Sequence, residues 1–464
     1  MIINRLDIEG LLALPESRTL EFKENLTSLK PILKTLIAFA NTAGGILIIG
    51  YGDNGKIHGV EDVLASEERL ANSIADSISP PLMPEIEIAS VKGHSLLVVR
   101  VPHWRGPFYL KSEGEERGIY VRLGSTNRLA DAELLAELKR SIMKVSFDQL
   151  PCPEFDASGL DMTRIEEAFA KVGKVVDTNV LETLHILVPY NNRLVCSNGG
   201  LILFGKEKYR KKYFPNTEIR CARFQGEKKV NFIDQYDVQG TILDAMDEIP
   251  KFIKRNTRLA ASIEKIKRKD IPEYSSIVIR EVLANALVHA DYSILGMHPR
   301  IAIFSNRLEI ESPGMLPFGY TLGDFFAGVS HVRNKVIARV FRELKIIEEW
   351  GTGYKRIKET CLKENYPIPH WEELGASLRV ILSPHQATQE NQSPRQSPNL
   401  IELSERQEEI KALLAGGVAL TTREIYERIE TSVSERTLRS DLLAMKEKGL
   451  IKMVGNGPST RWRM

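Results

Sequence analysis

The chain has 464 residues, of which 43% are hydrophobic and 27% are charged, a composition typical of a globular protein with roughly three domains. Its 63 basic and 61 acidic residues leave a formal net charge of +2, so any nucleic-acid-binding surface has to be local. The four cysteines form no CxxC pair and no apolar run approaches the ~18 residues of a membrane helix, so we predict a cytoplasmic protein with reduced thiols and no membrane contact.

The first block, residues 1–145, predicts a mixture of helices and strands. In TLEFKENL, two apolar residues alternate with Glu21 and Lys23, a pattern typical of a strand. The apolar segment that follows predicts a helix ending at Gly44 and Gly45, because glycine commonly terminates helices. Further strands are predicted for ILIIG, HSLLVVRVP and GIYVRLGS.

The middle block, residues 155–383, follows a stretch that prolines interrupt, and it again mixes helix and strand. The helix predicted for YSSIVIREVLANALVHA places Glu281, Asn285 and His289 on one face, since they are spaced four residues apart. The opposite positions are apolar, so this polar stripe indicates a ligand or a partner. A carboxylate and an amide oxygen one turn apart can hold Mg²⁺, which prefers oxygen ligands.

Two further signals in the middle block concern its glycines and a hairpin. EEWGTGYKRI places Gly351 and Gly353 directly before a helix, where free backbone N–H groups attract phosphate and glycine permits its close approach. RIAIFSNRLEIESPG predicts a β hairpin that turns at Ser305 and Asn306.

Residues 384–403 predict a linker, because they are rich in Gln, Ser, Pro and Asn. The tail, residues 404–464, predicts three helices and a β hairpin, the pattern of a winged helix-turn-helix. Its basic residues at the third helix and the wing suit DNA or RNA contacts, although such a domain also serves in protein contacts or dimerisation. These residues are Arg436, Arg439, Arg461 and Arg463.

The middle block resembles the GHKL ATP-binding fold, in its divergent bacterial branch. The E-x3-N box of that family matches Glu281 and Asn285, and its phosphate glycines match Gly351 and Gly353. The first glycine box matches poorly, and the segment ESPGM offers only Glu311 and Gly314 there, without the aspartate that reads adenine. The resemblance implies an ATP site in which Glu281 activates water, Asn285 holds Mg²⁺ and His289 lies on the same face.

Residues 12–135 resemble the Schlafen-type Alba-like domain, through ESRTLEFKEN, IAFANTAGGILIIGYGDNG and GIYVRLGSTNRLA. That resemblance implies a nuclease centre in which Glu16, Glu21 and Asp53 hold Mg²⁺ or Mn²⁺ and Lys23 offsets charge on the leaving phosphate. Converging carboxylates suit these hard cations. The alternative is a binding domain whose carboxylates pair with Lys23 and nearby arginines.

Four basic residues near the later strands of the first block are candidate phosphate contacts, and the aromatic residues beside them either stack on bases or belong to the core. The basic residues are Arg105, Lys111, Arg122 and Arg128.

The expected architecture is a multidomain α/β protein: a Schlafen-type Alba-like domain, a GHKL-like α/β sandwich and a winged helix-turn-helix. The preferred hypothesis is an ATP-responsive protein with a metal-dependent nuclease centre that acts on RNA, such as tRNA, or on single-stranded nucleic acid. The alternatives are a non-catalytic, DNA-binding transcriptional regulator and an ATPase. A homo-oligomer is also expected.

Overall fold

A computed structural model describes most of the chain. The described ranges are 8–52, 54–104, 106–264, 267–347, 353–390, 405–415, 418–429, 434–447, 450–454 and 460–464. They divide into two compact units, with the division after residue 389. In these ranges no helix has the length and apolar character needed to cross a bilayer, and the four cysteines are buried free thiols.

Helices and strands alternate through the first unit, as a mixed α/β fold requires. Its helices are α1 Ile8–Leu12, α2 Leu29–Thr42, α3 Val63–Ser77, α4 Gly114–Arg117, α5 Ala132–Met143, α6 Met162–Ala170, α7 Thr178–Thr183, α8 Asn198–Phe204, α9 Glu207–Tyr213, α10 Ile242–Asn256, α11 Ser276–His289, α12 Leu322–Phe326, α13 Lys335–Glu343, α14 Gly353–Glu364 and α15 Gln386–Glu390. Its strands are β1 Leu20–Lys23, β2 Gly45–Ile49, β3 Ile78–Ser79, β4 Glu85–Val91, β5 His94–Val101, β6 Tyr109–Leu110, β7 Tyr120–Leu123, β8 Thr126–Leu129, β9 Pro151–Cys152, β10 Leu187–Tyr190, β11 Arg193–Ser197, β12 Arg220–Phe224, β13 Phe232–Asp237, β14 Leu259–Glu264, β15 Lys267–Pro272, β16 Arg300–Ile303, β17 Leu308–Pro313, β18 His370–Leu374 and β19 Ser377–Leu382.

The first sheet has the strand order β1-β2-β5-β4, with β1 parallel to β2 and the other pairs antiparallel. Leu20 and Phe22 are buried, as the alternation in β1 predicted, but Glu21 between them is only 5% exposed. The apolar face of α2 packs against this sheet. The helix ends where predicted: Gly44 has φ +75°, and a Cβ there would lie 2.8 Å from the carbonyl oxygen of Val101.

The larger sheet has the order β13-β12-β16-β17-β19-β18. Strands β16 and β17 form the predicted hairpin, in which Ile303 pairs with Leu308 across the turn. The buried side of α11, which includes Val282 and Leu283, belongs to the main hydrophobic core, and α11 packs against α10, α14 and β17. The polar stripe of α11 is thereby held beside the C-terminal end of β17.

The segment between the two sequence blocks is packed, although its prolines suggested a boundary. Asp148 is fully buried, and its carboxylate accepts hydrogen bonds from the backbone N–H groups of Lys335, Val336 and Ile337 at 3.1, 2.7 and 2.9 Å. These three N–H groups belong to the first turn of α13 and have no acceptor within the helix. The acidic side chain supplies that acceptor and stabilises the start of the helix. The first and middle blocks therefore belong to one compact unit.

The predicted linker is wrong at its start. Residues 386–390 form α15, and Thr388 is only 2% exposed. The backbone N–H of His385 donates to the carbonyl of Glu273 at 2.9 Å. Residues 391–403 of the predicted linker lie outside the described residues.

The second unit contains the three helices and the paired strands of the hairpin that were predicted from the sequence of the tail. Its elements are α16 Glu405–Leu414, β20 Leu420–Thr421, α17 Thr422–Tyr426, α18 Glu435–Glu447, β21 Lys452–Val454 and β22 Arg461–Arg463. The strands form a sheet of order β20-β22-β21. Ile410, Leu442 and Trp462, from different elements, share one hydrophobic core.

Candidate functional site

The carboxylate of Glu21 is enclosed by two cations. Its Oε2 accepts a hydrogen bond from Arg122 and its Oε1 from Lys23. The Arg122 side chain is fully buried, and its Nε and Nη2 also donate to the carbonyl of Ser17 at 3.1 and 3.0 Å, while Nη1 donates to Asn127 Oδ1 at 3.0 Å. Arg122 therefore fixes both Glu21 and the chain that enters β1.

Of the other two residues of the expected metal centre, only Glu16 is described. Glu16 Oε1 accepts a hydrogen bond from the backbone N–H of Phe22 at 3.0 Å. Asp53 lies outside the described residues. Within the described ranges, no group of three His, Cys, Asp or Glu side chains is arranged to hold a metal. A divalent cation at Glu21 would lie beside the positive charges of Lys23 and Arg122, so the described contacts fit ion pairing better than they fit Mg²⁺ or Mn²⁺.

The candidate phosphate contacts of the first block differ in their exposure. Arg122 is fully buried and cannot reach a phosphate, which corrects the prediction for this residue. Lys111 and Arg128 are exposed, and Lys111 Nζ donates to the carbonyl of Ala75 at 3.2 Å. Arg105 lies outside the described residues.

A pocket beside Glu21 is lined by lysines, two of which the sequence analysis missed. Lys23 comes from β1, and Lys30 and Lys34 come from the first turns of α2. The two α2 lysines lie 2.8 and 3.1 Å from Glu113 Oε1, and the Tyr120 hydroxyl donates to Glu113 Oε2 at 2.5 Å. The hydrogen bond from Lys30 contributes most to lowering the pKa of Glu113 to about 2. The signal available in the sequence was the four-residue spacing of the two lysines at the start of a helix.

The polar stripe of α11 faces a second pocket. Asn285, His289, Gly314 and Gly353, all predicted from the sequence, line it together. The pocket has about 930 Å³ of empty space, counting its mouth toward solvent, and most of its other lining residues are apolar. A concave, mainly apolar pocket with a few convergent polar groups is typical of a small-molecule site.

The predicted nucleotide residues on α11 and α14 lie against one another. A Cβ built on Gly353 would lie 3.2 Å from Glu281 Oε2 and 3.4 Å from Asn285 Nδ2. The backbone at the start of α14 therefore meets the polar stripe with no side chain between them. Glu281 also accepts a hydrogen bond from Arg356 Nη1 at 2.7 Å, so the expected water-activating carboxylate is ion-paired. Gly351 lies outside the described residues.

The ESPGM segment contributes to the pocket, but not through its glutamate. Gly314 has φ +98°, and a Cβ there would lie 2.7 Å from the Cβ of Asp291, so glycine is required at this position. Ser312 also lines the pocket. Glu311 points to the other face of β17, where Arg379 Nη2 donates to it at 3.2 Å, and the prediction that it binds the cofactor is wrong for this arrangement.

An aromatic wall closes one side of the pocket, and the sequence analysis missed it. The rings of Phe325, Tyr354 and Trp371 have centroids 5.2 to 5.5 Å apart. Tyr354 directly follows Gly353, so an aromatic residue beside the glycine motif was a detectable signal. Trp371 is brought in by β18 and had no such signal. Flat apolar rings of this kind suit a purine base.

The imidazole of His289 is enclosed by the pocket, and burial lowers its pKa to about 4. A neutral imidazole offers one donor and one acceptor nitrogen. His289 is therefore a neutral hydrogen-bonding group at physiological pH, and it does not provide a positive charge for phosphate.

Two buried arginines hold the pocket wall formed by residues 315–317. Arg18, which is 7% exposed, donates to Glu373 Oε1 at 2.6 Å and to the carbonyl of Leu316 at 3.0 Å. Arg333 donates a hydrogen bond to the carbonyl of Met315, the first residue of the same wall. Arg18 belongs to the first sequence block, so that block contributes directly to fixing the pocket.

Three of the four arginines proposed as nucleic-acid contacts in the tail have described side chains, and all three lie on the surface. Arg439, Arg461 and Arg463 are exposed, and Arg461 Nη1 donates to the carbonyl of Ala419 at 3.0 Å. The side chain of Arg436 lies outside the described part of the structure.

Comparisons with known proteins agree with both sequence resemblances. The family model described as "Schlafen, AlbA_2" matches residues 16–131, and the model described as "Putative ATP-dependent DNA helicase recG C-terminal" matches residues 296–382. The crystal structure of the DIP2311 protein from Corynebacterium diphtheriae is 18% identical, covers 98% of this chain and 96% of that chain, and has a TM-score of 0.44. The solution structure of the N-terminal domain of a RecG-related protein from Nitrosomonas europaea is 32% identical, covers 26% of this chain and 88% of that chain, and has a TM-score of 0.22. A comparison with curated proteins gave no match.

The fold is that of a multidomain α/β protein, and the two matches suggest a nucleic-acid-related protein with an ATP-binding type of domain. More particularly, residues 16–131 are similar to the Schlafen AlbA_2 family, and residues 296–382 are similar to the recG C-terminal family. The polar stripe of α11 lies outside the matched residues 296–382, so its role depends on the geometry of the pocket.

Proposed function

We propose that this protein binds nucleic acid through its AlbA_2 domain and that ATP bound in the middle block regulates this binding. The observation that carries the proposal is the pocket wall 315–317, which lines the nucleotide pocket and accepts a hydrogen bond from Arg18. Arg18 directly follows Ser17, whose carbonyl accepts two hydrogen bonds from Arg122, the partner of Glu21. The nucleotide pocket and the Glu21 region are thus joined by a short run of buried contacts.

The residues around the nucleotide pocket fit ATP and Mg²⁺. Asn285 would hold Mg²⁺ through its amide oxygen, and the small Gly353 leaves the backbone at the start of α14 open to phosphate. The aromatic wall would pack against the base. When bound, the metal neutralises phosphate charge, whereas this chain's own residues orient the nucleotide and exclude water. Because Glu281 is paired with Arg356, binding is better supported than hydrolysis.

For the AlbA_2 domain, docking of nucleic acid is better supported than cutting. The carboxylate of Glu21 is already neutralised, which is the pairing expected of a binding domain. A metal-dependent nuclease at Glu16, Glu21 and Asp53 is the second candidate. It is favoured by one observation: Glu21 and Lys23 line a pocket that is open to solvent.

The second unit would add a further contact to DNA or RNA as a winged helix, with its third helix and wing presenting Arg436, Arg439, Arg461 and Arg463. The order of its helices and strands supports this proposal. A transcriptional regulator would use that unit to read an operator. A homo-oligomer in the cytoplasm remains a prediction.

Binding of a fluorescent ATP analogue with Mg²⁺ tests the nucleotide site. Asn285→Ala should weaken binding by at least tenfold, since it removes the amide oxygen proposed for Mg²⁺. Asn306→Ala, at an exposed position in the β16–β17 turn, is the matched control and should bind like the wild type. Equal affinities for all three proteins would refute the assignment of this pocket.

Incubation of labelled tRNA and single-stranded DNA with Mn²⁺ separates docking from cutting. Docking predicts that the wild type binds these probes and leaves them intact. Cleavage by the wild type that is lost in Glu21→Gln, but kept in the exposed control Glu24→Gln, would establish the nuclease instead.

A further inference from the structure

The pocket beside Glu21 carries more positive charge than its carboxylates neutralise. We define the lysine pocket by Lys23, Lys30 and Lys34, with the Glu113 carboxylate and the Tyr120 ring between them. We propose that it binds a backbone phosphate of a nucleic-acid strand. This inference rests on the proposed function and names the surface that would perform it.

The charged groups around the lysine pocket do not cancel. Lys23 and Arg122 share the Glu21 carboxylate, and Lys30 and Lys34 share the carboxylate of Glu113. Four cations therefore face two carboxylates, leaving a surplus of two positive charges. Like charges this close repel one another, and a bound anion removes that repulsion. Each ammonium group has three donors, so donors remain for a phosphate.

The three lysines of the pocket are accessible to solvent. The side chains of Lys23, Lys30 and Lys34 are 31%, 60% and 27% exposed, whereas Arg122 is completely buried. The lysines can reach a ligand from solvent, and the arginine cannot. The sequence predicts a phosphate contact for Arg122, but the solvent-accessible lysines are better placed for that role.

The lysine pocket adjoins a second depression. The lysine pocket has about 850 Å³ of empty space, counting its mouth toward solvent. A second depression shares Lys23, Ser28 and Pro31 with it and continues past Asn25 and Thr27. Two adjoining depressions offer room for successive nucleotides along a strand. A single free phosphate would occupy only one of them.

Fluorescence anisotropy with labelled 20-nucleotide single-stranded RNA and DNA tests the inference on the full chain. Lys30→Gln/Lys34→Gln should weaken binding at least tenfold and reduce the slope of log affinity against log salt by about 0.7, because each phosphate contact to a single strand contributes about 0.7 and the pocket contacts one phosphate. The charge-matched control, Lys56→Gln/Lys139→Gln, changes two exposed lysines outside the pocket and should bind like the wild type. Lys30→Arg/Lys34→Arg keeps the charge and should bind within about threefold of the wild type.

The outcomes distinguish this inference from the proposed function. If the wild type binds neither oligonucleotide, the proposed function fails. If the wild type binds and both double glutamine variants lose affinity equally, only the lysine pocket is refuted. Displacement of the oligonucleotide by millimolar ATP in both the wild type and Asn285→Ala would assign the pocket to a free nucleotide, and that would also overturn the inference.

Discussion

The pairing of Glu21 with Arg122 gives the sharpest prediction, because structural and catalytic roles require opposite effects on stability. Replacing Arg122 with Met removes a fully buried guanidinium that donates to Glu21, Asn127 and two backbone carbonyls. The carboxylate of Glu21 would then be buried with only one cationic partner. Breaking a buried ion pair in this way typically costs about 3–5 kcal/mol.

This cost converts into a measurable shift of the melting temperature. An unfolding entropy of about 2.1 cal/mol/K per residue gives roughly 0.8 kcal/mol/K for the 389 residues of the first unit. Arg122→Met should therefore lower the melting temperature of that unit by about 4–6 °C in differential scanning calorimetry. Arg128→Met, an exposed position on the same hairpin, is the control and should shift it by less than about 1 °C.

Glu21→Gln completes the test. If the pair is structural, Glu21→Gln is destabilising, and the double variant is less destabilised than the sum of the single variants. If Glu21→Gln instead raised the melting temperature, the carboxylate would be one that destabilises the folded protein and is kept for catalysis. Either that result, or a double variant whose destabilisation equals the sum of the two single variants, would refute the idea that Arg122 is buried in order to pair with Glu21.

Three further predictions concern the nucleotide pocket and the second unit. Replacing Trp371 with Leu should weaken binding of a fluorescent ATP analogue at least fivefold, because it removes a ring of the aromatic wall; an unchanged affinity would exclude that wall as the base contact. The free energy of unfolding should decrease as the pH falls from about 6.5 toward 4, because His289 takes up a proton in the unfolded chain before its folded-state pKa of about 4 is reached. Urea unfolding across this range should show a smaller decrease for His289→Asn, and an identical decrease would contradict the enclosure of the imidazole. Arg461→Gln/Arg463→Gln should reduce the salt dependence of duplex DNA binding by a slope of about 2, and an unchanged slope would exclude wing contacts to the backbone.

Local patterns in the sequence predicted most of the elements that position the candidate sites. The end of α2 at Gly44 and the β16–β17 hairpin depend on neighbouring residues, so they could be predicted from short segments. The placement of Asn285 and Gly353 in one pocket could also be inferred, because a polar stripe on a helix and a glycine-rich helix start are both visible in short sequence segments.

Contacts between distant segments could not be predicted from such patterns. Nothing near Arg122 in the sequence shows that it is buried against Glu21, about a hundred residues earlier in the chain. Trp371 lines the proposed nucleotide pocket because it lies on β18, an edge strand of the larger sheet that is distant in sequence from α11. The alternation in β1 predicted a strand correctly, but it could not reveal that its charged residue was enclosed by the β7–β8 hairpin.

The buried Asp148 has a practical consequence for dividing this protein into fragments. A fragment that stops at residue 145 lacks this carboxylate, and one that starts at residue 155 has a helix α13 whose first three amide groups have lost their acceptor. Measurements on such fragments would describe domains that have lost this contact, and not the intact unit. A cut after Gln389, where the two compact units divide, keeps this anchor in place and is the better choice for separate expression.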